Sequence, residues 1–170
     1  FKALYSAPDA TRLLAVLGPS GSGKSSVARA GLLAALAARP VPGSQAVRRI
    51  AIKPGEHPLR ALALALKPPS VEPSAAPDLA AQRKLMDDLG QPNKRGEFDG
   101  LTLWAANLPD ATTSPLVLLV DQFEEVYTAC REPSQRDAFV SLLLHAAGDR
   151  ARHVAVVMTL RSDFLGAQML

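Results

Sequence analysis

The chain has 170 residues, room for one domain with a well-buried core. Hydrophobic residues make up 48% and charged residues 21%, and a net charge of +3 is scattered, too weak a bias to point to nucleic acid or a membrane surface. One cysteine, Cys130, excludes an internal disulfide framework and fits a reducing, cytoplasmic compartment, and no apolar run approaches the roughly 18 residues of a membrane span.

The opening FKALYSAPDATR has neither an initiator Met nor the apolar core of a signal peptide, and GAQML ends without a cap, so the chain reads as a piece of a longer protein. Arg12 to Leu17 is a short apolar run bounded by turn residues and reads as a buried parallel strand. A Gly-rich loop follows. Ser25 to Ala38 has a helical pattern, with Val27, Ala30, Leu33 and Ala34 on one face and Arg39-Pro40 as the stop. Arg48 to Lys53 is a second strand, ended by Pro54-Gly55. Pro58 to Leu66 is a short helix with Leu59, Leu62 and Leu66 sharing a face. Lys67 to Pro77 holds four prolines and reads as a mobile loop.

Asp78 to Leu89 reads as a helix, Gln91 to Gly100 as a polar turn, and Leu101 to Leu108 as one or two helical turns whose Trp104 is a core or groove anchor. Leu116 to Val120 (LVLLV) is the clearest buried strand. Pro133 to Ala147 is an amphipathic helix with Phe139, Leu142 and Leu143 inward and Pro133 near its start. Val154 to Leu160 is the fourth strand, and Ser162 to Gln168 starts a last helix with Ser162 as cap. Strands alternating with helices imply an α/β sandwich around a parallel sheet with right-handed crossovers.

Gly18, Pro19, Ser20, Gly21, Ser22, Gly23, Lys24 and Ser25 match G-x-x-x-x-G-K-[ST] at every fixed position, after a strand and before a helix. Glycines let backbone N–H groups approach phosphate oxygens, and the helix N-terminus adds its dipole and free donors. Lys24 is expected at the β- and γ-phosphates, the Ser25 hydroxyl on Mg²⁺, and Ser26 at the α-phosphate. A chance Gly/Ser turn would not be flanked in this way.

LVLLVDQFEE sets Asp121 directly after a buried strand, at the carboxyl edge where parallel sheets bind ligands. A carboxylate there holds Mg²⁺, through water, or caps a helix. Glu124 and Glu125 follow, and one of them is a candidate to orient or deprotonate an attacking water while the other is a solvated helix-start carboxylate. Many P-loop ATPases carry that Glu directly after the Asp; here the position is Gln122. TLRSDF ends the fourth strand. If that strand lies between the loop strand and its neighbour, Arg161 faces the γ-phosphate as a sensor; the alternative is a surface Arg paired with Asp163.

GPSGSGKSSVARAGLLAAL, PGEHPL, LVLLVDQFEEVYT and VVMTLRSDF, in that order, resemble the STAND class of signal-transduction ATPases, and within it the bacterial novel STAND NTPase domain nSTAND1, often followed by WD40 repeats. The resemblance runs over nearly the whole chain. It implies a RecA-like P-loop core, a three-layer α/β/α sandwich with an extra strand between the Walker strands. It implies an ATP/ADP-controlled switch, with self-association in the full-length protein, sensor and effector domains elsewhere, and roles in prokaryotic signalling and anti-phage defence. By that resemblance Lys24 and Ser25 bind phosphate and Mg²⁺, Asp121 is the Walker B acid, Glu124 or Glu125 is catalytic and Arg161 is the sensor. The insertion up to Pro109 is not explained by the motifs and reads as a candidate partner surface. An ABC-transporter ATPase shares the loop but needs an LSGGQ-like signature and an acidic residue directly after Asp121, and neither is here; a guanylate-kinase-like enzyme needs a lid of convergent basic residues and no Walker B strand ending in DQFEE. A nucleotide-binding scaffold without useful hydrolysis stays open, through Gln122.

Overall fold

The computed structural model describes residues 10–66 and 78–164. Expectations for the Pro-rich stretch 67–77 and for the body of the last helix, 165–168, lie outside those residues.

Four strands form one parallel sheet: β1 (Leu13–Gly18), β2 (Arg48–Ile52), β3 (Leu116–Val120) and β4 (Val154–Arg161). Their spatial order is β1-β4-β3-β2. The fourth strand therefore does lie between the loop strand and the LVLLV strand. β3 is buried along its whole length, as its unbroken apolar run requires with helices on both faces.

The period of two divides each central strand between two cores. Leu116, Leu118 and Val120 of β3 join Val154, Val156 and Met158 of β4 on one face. Val117 and Leu119 join Ala155 and Val157 on the other. The second face is covered by α1, which runs from Lys24 to Ala38 as Lys24–Ser26, a π-helical Val27–Leu33 and Ala34–Ala38. The first face is covered by α2 (Pro58–Ala65), α3 (Leu79–Gly90), α4 (Gly100–Ala106) and α6 (Pro133–Gly148), while α5 (Glu125–Thr128) is a single turn after β3. This is the α/β/α RecA-like sandwich.

The apolar faces of α2 and α6 are those the sequence predicts: Leu59, Leu62 and Leu66 are buried, as are Phe139, Leu142 and Leu143. Pro133 occupies the first turn of α6, and Asp78 caps α3, accepting from the N–H groups of Ala80 and Ala81 at 3.0 Å. The face of α1 differs. Ala28, Leu33 and Leu36 are buried, whereas Val27 is 61% exposed and Ala30 and Ala34 are also exposed. The cause is the loop that precedes the helix. It aims Ser25 at the sheet, and steps of three and four from Ser25 carry the inward stripe through Ala28, Leu32, Leu33 and Leu36 rather than one residue earlier.

The insertion before β3 is in part core. Leu89, Leu101 and Ala105 are buried, and Trp104 packs partly buried against the same cluster. Here α3 hands over to α4 at very close range. A Cβ on Gly100 would collide with the carbonyl oxygen of Asp88 and stand 3.1 Å from Leu89 Cα, both rigid backbone. Gly100→Ala should therefore destabilise the domain by about 1–3 kcal/mol, read as a lower urea midpoint at unchanged slope.

Candidate functional site

The site forms where β1, β3 and β4 end. Gly18 ends β1, and the loop turns into α1 through Gly23, whose φ of 82° is a left-handed conformation that disfavours any side chain. Lys24 folds back over the loop, donating from Nζ to the Pro19 carbonyl at 2.7 Å. Ser25 and Arg29, four residues apart, share the helix face that looks at the sheet edge.

The same period of two that builds the α1-side core places the polar residues. In β3 the series Val117, Leu119 continues to Asp121; in β4 the series Ala155, Val157 continues to Thr159. Both polar side chains thus emerge beneath α1 and meet. Thr159 Oγ1 donates to Asp121 Oδ1 at 2.6 Å, and Ser25 Oγ donates to the same oxygen at 2.6 Å. Arg29 Nε donates to Asp121 Oδ2 at 3.1 Å. Burial pushes the Asp121 carboxyl upward, but the bonds from Ser25, Thr159 and Arg29, with the charge of Arg29, outweigh it and hold the group below the usual carboxylate range.

Thr159 does more than meet Asp121. Its hydroxyl accepts the Gln122 N–H at 2.9 Å, and its carbonyl accepts the Phe123 N–H at 2.9 Å. Gln122 has φ 57°, an uncommon conformation for a non-glycine residue. One buried threonine therefore fastens a strained turn to the neighbouring strand.

The two glutamates part company after this turn. Glu125 reaches sideways to the end of β2, where Lys53 Nζ stands 2.8 Å from Oε1 and the Gly55 N–H donates to Oε2 at 3.3 Å. Glu124 is 8% exposed, and its Oε2 has no hydrogen-bond partner among the described residues. Arg161 lies beside Gly18 in register and pairs with Asp163, Nη2 to Oδ2 at 2.6 Å, with its side chain half exposed. That pairing is the surface alternative the sequence leaves open, and it draws the guanidinium toward its own turn. Even so, Arg161 borders the cleft of about 520 Å³ shared by Ser20, Lys24, Ser25, Gln122 and both glutamates, Glu124 and Glu125. Ser22 and Ser26 are exposed on the loop and first helical turn.

The oxygen donors fit a hard divalent cation: a serine hydroxyl and a carboxylate in contact, with the remaining positions left to phosphate oxygens and water, the arrangement Mg²⁺ favours. No cluster of three or more His, Cys, Asp or Glu side chains able to hold a metal occurs among the described residues.

A parallel sheet with a Gly-rich loop leading into α1, and an acidic strand end brought against that loop's serine, defines a P-loop NTPase domain. The family model for nSTAND1, Novel STAND NTPase 1, matches residues 1–169. The chain belongs to that family. No curated protein matches it. Among the described residues no helix is long and apolar enough to cross a membrane.

Sequence reasoning assigns no role to Thr159 or Arg29. Thr159 is detectable as the polar residue in the inward row of an apolar strand; Arg29 is detectable from its spacing of four after Ser25.

Two outcomes test this arrangement. Thr159→Val removes the buried donor to Asp121 and leaves the part-buried Gln122 N–H without its acceptor, and should cost about 1–3 kcal/mol, with Thr159→Ser recovering most of it, in denaturant titrations. For Asp121 the folded value lies below the unfolded one, so its stabilisation is complete above about pH 4 and is lost as pH falls through the folded value. The stability of the native chain minus that of Asp121→Asn should therefore shrink below about pH 4; a difference flat from pH 6 to pH 3 would contradict the assignment.

Proposed function

We propose that this domain is an ATP-binding, slowly hydrolysing switch that couples a sensed signal to self-association and effector activation, in prokaryotic signalling that includes defence against phage. The observation that carries this reading is the contact between Ser25 and Asp121, 96 residues apart in the chain and 2.6 Å apart at the mouth of the phosphate loop. Residues 18–26 cradle the phosphates, with Lys24 exchanging the Pro19 carbonyl for β- and γ-phosphate oxygens. Ser25 and Asp121 would hold Mg²⁺, which would neutralise phosphate charge.

Of the two glutamates, Glu124 is assigned the work of orienting or deprotonating the attacking water. Both glutamates border the cleft, and the support for Glu124 is its buried carboxylate oxygen without a hydrogen-bond partner among the described residues. Glu125 is assigned a structural role, its support being the tie to Lys53 and Gly55. Arg161 is the sensor position and must leave Asp163 to reach a terminal phosphate. Slow turnover is supported by Gln122 in the place next to the metal-side acid, and by that engaged arginine. The same two observations favour the second reading, a nucleotide-binding scaffold without useful hydrolysis. The domain is expected in the cytoplasm, with sensor repeats such as WD40 elsewhere in the full protein.

Fluorescent-nucleotide binding and single-turnover hydrolysis with Mg-ATP separate the two. Lys24→Ala should abolish binding; near-normal affinity in that variant sinks the site. Glu124→Gln should bind ATP yet lose turnover by about 100-fold, the scale of one general base, while Glu125→Gln keeps it. Undetectable hydrolysis in the full-length protein with its activating ligand would favour the scaffold.

A further inference from the structure

Asp121 is a buried acid whose acceptor sites are mostly filled from within. Oδ1 takes two hydroxyl donors, Ser25 and Thr159, which completes that oxygen. Oδ2 takes Arg29 Nε. The Arg29 side chain is 50% exposed while the carboxylate is 9% exposed, so the cation can leave for water and the anion cannot. Ser25 lines the cleft with Asp121 and Arg29 behind it, so a cation beside Ser25 that addresses Asp121 finds an acceptor site left only on Oδ2, where a guanidinium already lies. Two positive groups within a few ångströms on one oxygen repel each other.

We infer that Arg29 is an internal counter-ion for Asp121 that competes with the divalent cation for Oδ2 and so sets how much Mg²⁺ the site requires. Arg29 need touch no nucleotide for this; it acts through Asp121. Its place on the helix supports the role. Arg29 follows Ser25 by four residues, so the same helix face presents the hydroxyl that helps hold a cation and the guanidinium that opposes it. It also lies inside the π-helical stretch Val27–Leu33, a backbone form that is rare and concentrated at functional sites. The charge on Arg29 neutralises a buried acid whenever the divalent cation is scarce, and yields when it is plentiful.

The inference rests on the nucleotide reading of the cleft, and two readouts keep the failures apart. In the first, binding of a fluorescent ADP is titrated with Mg²⁺. Arg29→Ala should lower the half-saturating Mg²⁺ concentration roughly three- to fivefold, the scale of one half-exposed charge pair. Arg29→Lys, which keeps the charge, should stay near the native value, and Arg29→Ala added to Asp121→Asn should change nothing further. In the second, Mn²⁺ binding to the nucleotide-free chain is followed by electron paramagnetic resonance, and Arg29→Ala should bind more tightly. An unchanged or higher cation requirement in Arg29→Ala overturns the inference. A native chain that binds no nucleotide sinks the underlying reading, and the Mn²⁺ measurement then decides on Arg29 alone.

Discussion

Burying a carboxylate under a helix is the constraint on which the rest of this site depends. Asp121 is 6% exposed at the end of a strand that is otherwise wholly apolar. An ionised group there is tolerated only when its oxygens are paired and hydrogen-bonded. The donors come from two elements distant in sequence: Ser25 and Arg29 from α1, Thr159 from β4. The phosphate loop is thereby tied to the acidic strand by the same bonds that make the acid affordable. Loop, acid and neighbouring strand form one hydrogen-bonded unit.

The sheet order makes that unit possible. With β4 between β1 and β3, its last residues run alongside both the loop and the DQFEE turn. Thr159 serves β3 and Arg161 lies against Gly18, two residues apart and therefore on the same side of the sheet. Any movement of β4 relative to β3 would break the bonds to Asp121, Gln122 and Phe123 together. Three bonds on one threonine also explain how a non-glycine residue stays at positive φ in the turn, since such strain persists only where the surroundings over-determine it.

Much of this was legible in the sequence because the signals were of different kinds and agreed. LVLLV is a short apolar run bounded by turn residues and reads as a strand buried on both faces, GPSGSGKSS has fixed spacing as well as the right neighbours, and strands alternating with helices point to a parallel sheet. The α1 face was misplaced because its residues are nearly all small or apolar, so periodicity alone does not fix the phase. The phase is set by Ser25, a polar residue whose partner lies 96 positions away. The division between Glu124 and Glu125 was illegible for a similar reason. Adjacent residues on one helical turn point about 100° apart, and only the position of β2 decides which of them finds Lys53. Arg161 carried two readings because its competitor for attention, Asp163, is local in sequence whereas the cleft is not.

Three cations at the cleft or just behind it share one property. Lys24 is held by the Pro19 carbonyl, Arg29 by Asp121 and Arg161 by Asp163. An anion that drew on these cations would have to exchange internal contacts for its own, which would make binding less favourable than in a site with waiting charges. What is lost in affinity returns as differential interaction. Each such exchange would free a specific acceptor on a specific element: the loop, the end of β3 or the turn after β4. A ligand shifts a conformational equilibrium only by the difference in its interaction with the two states. Charges that changed partners on binding would supply such a difference, whereas charges that merely wait would supply affinity and little else.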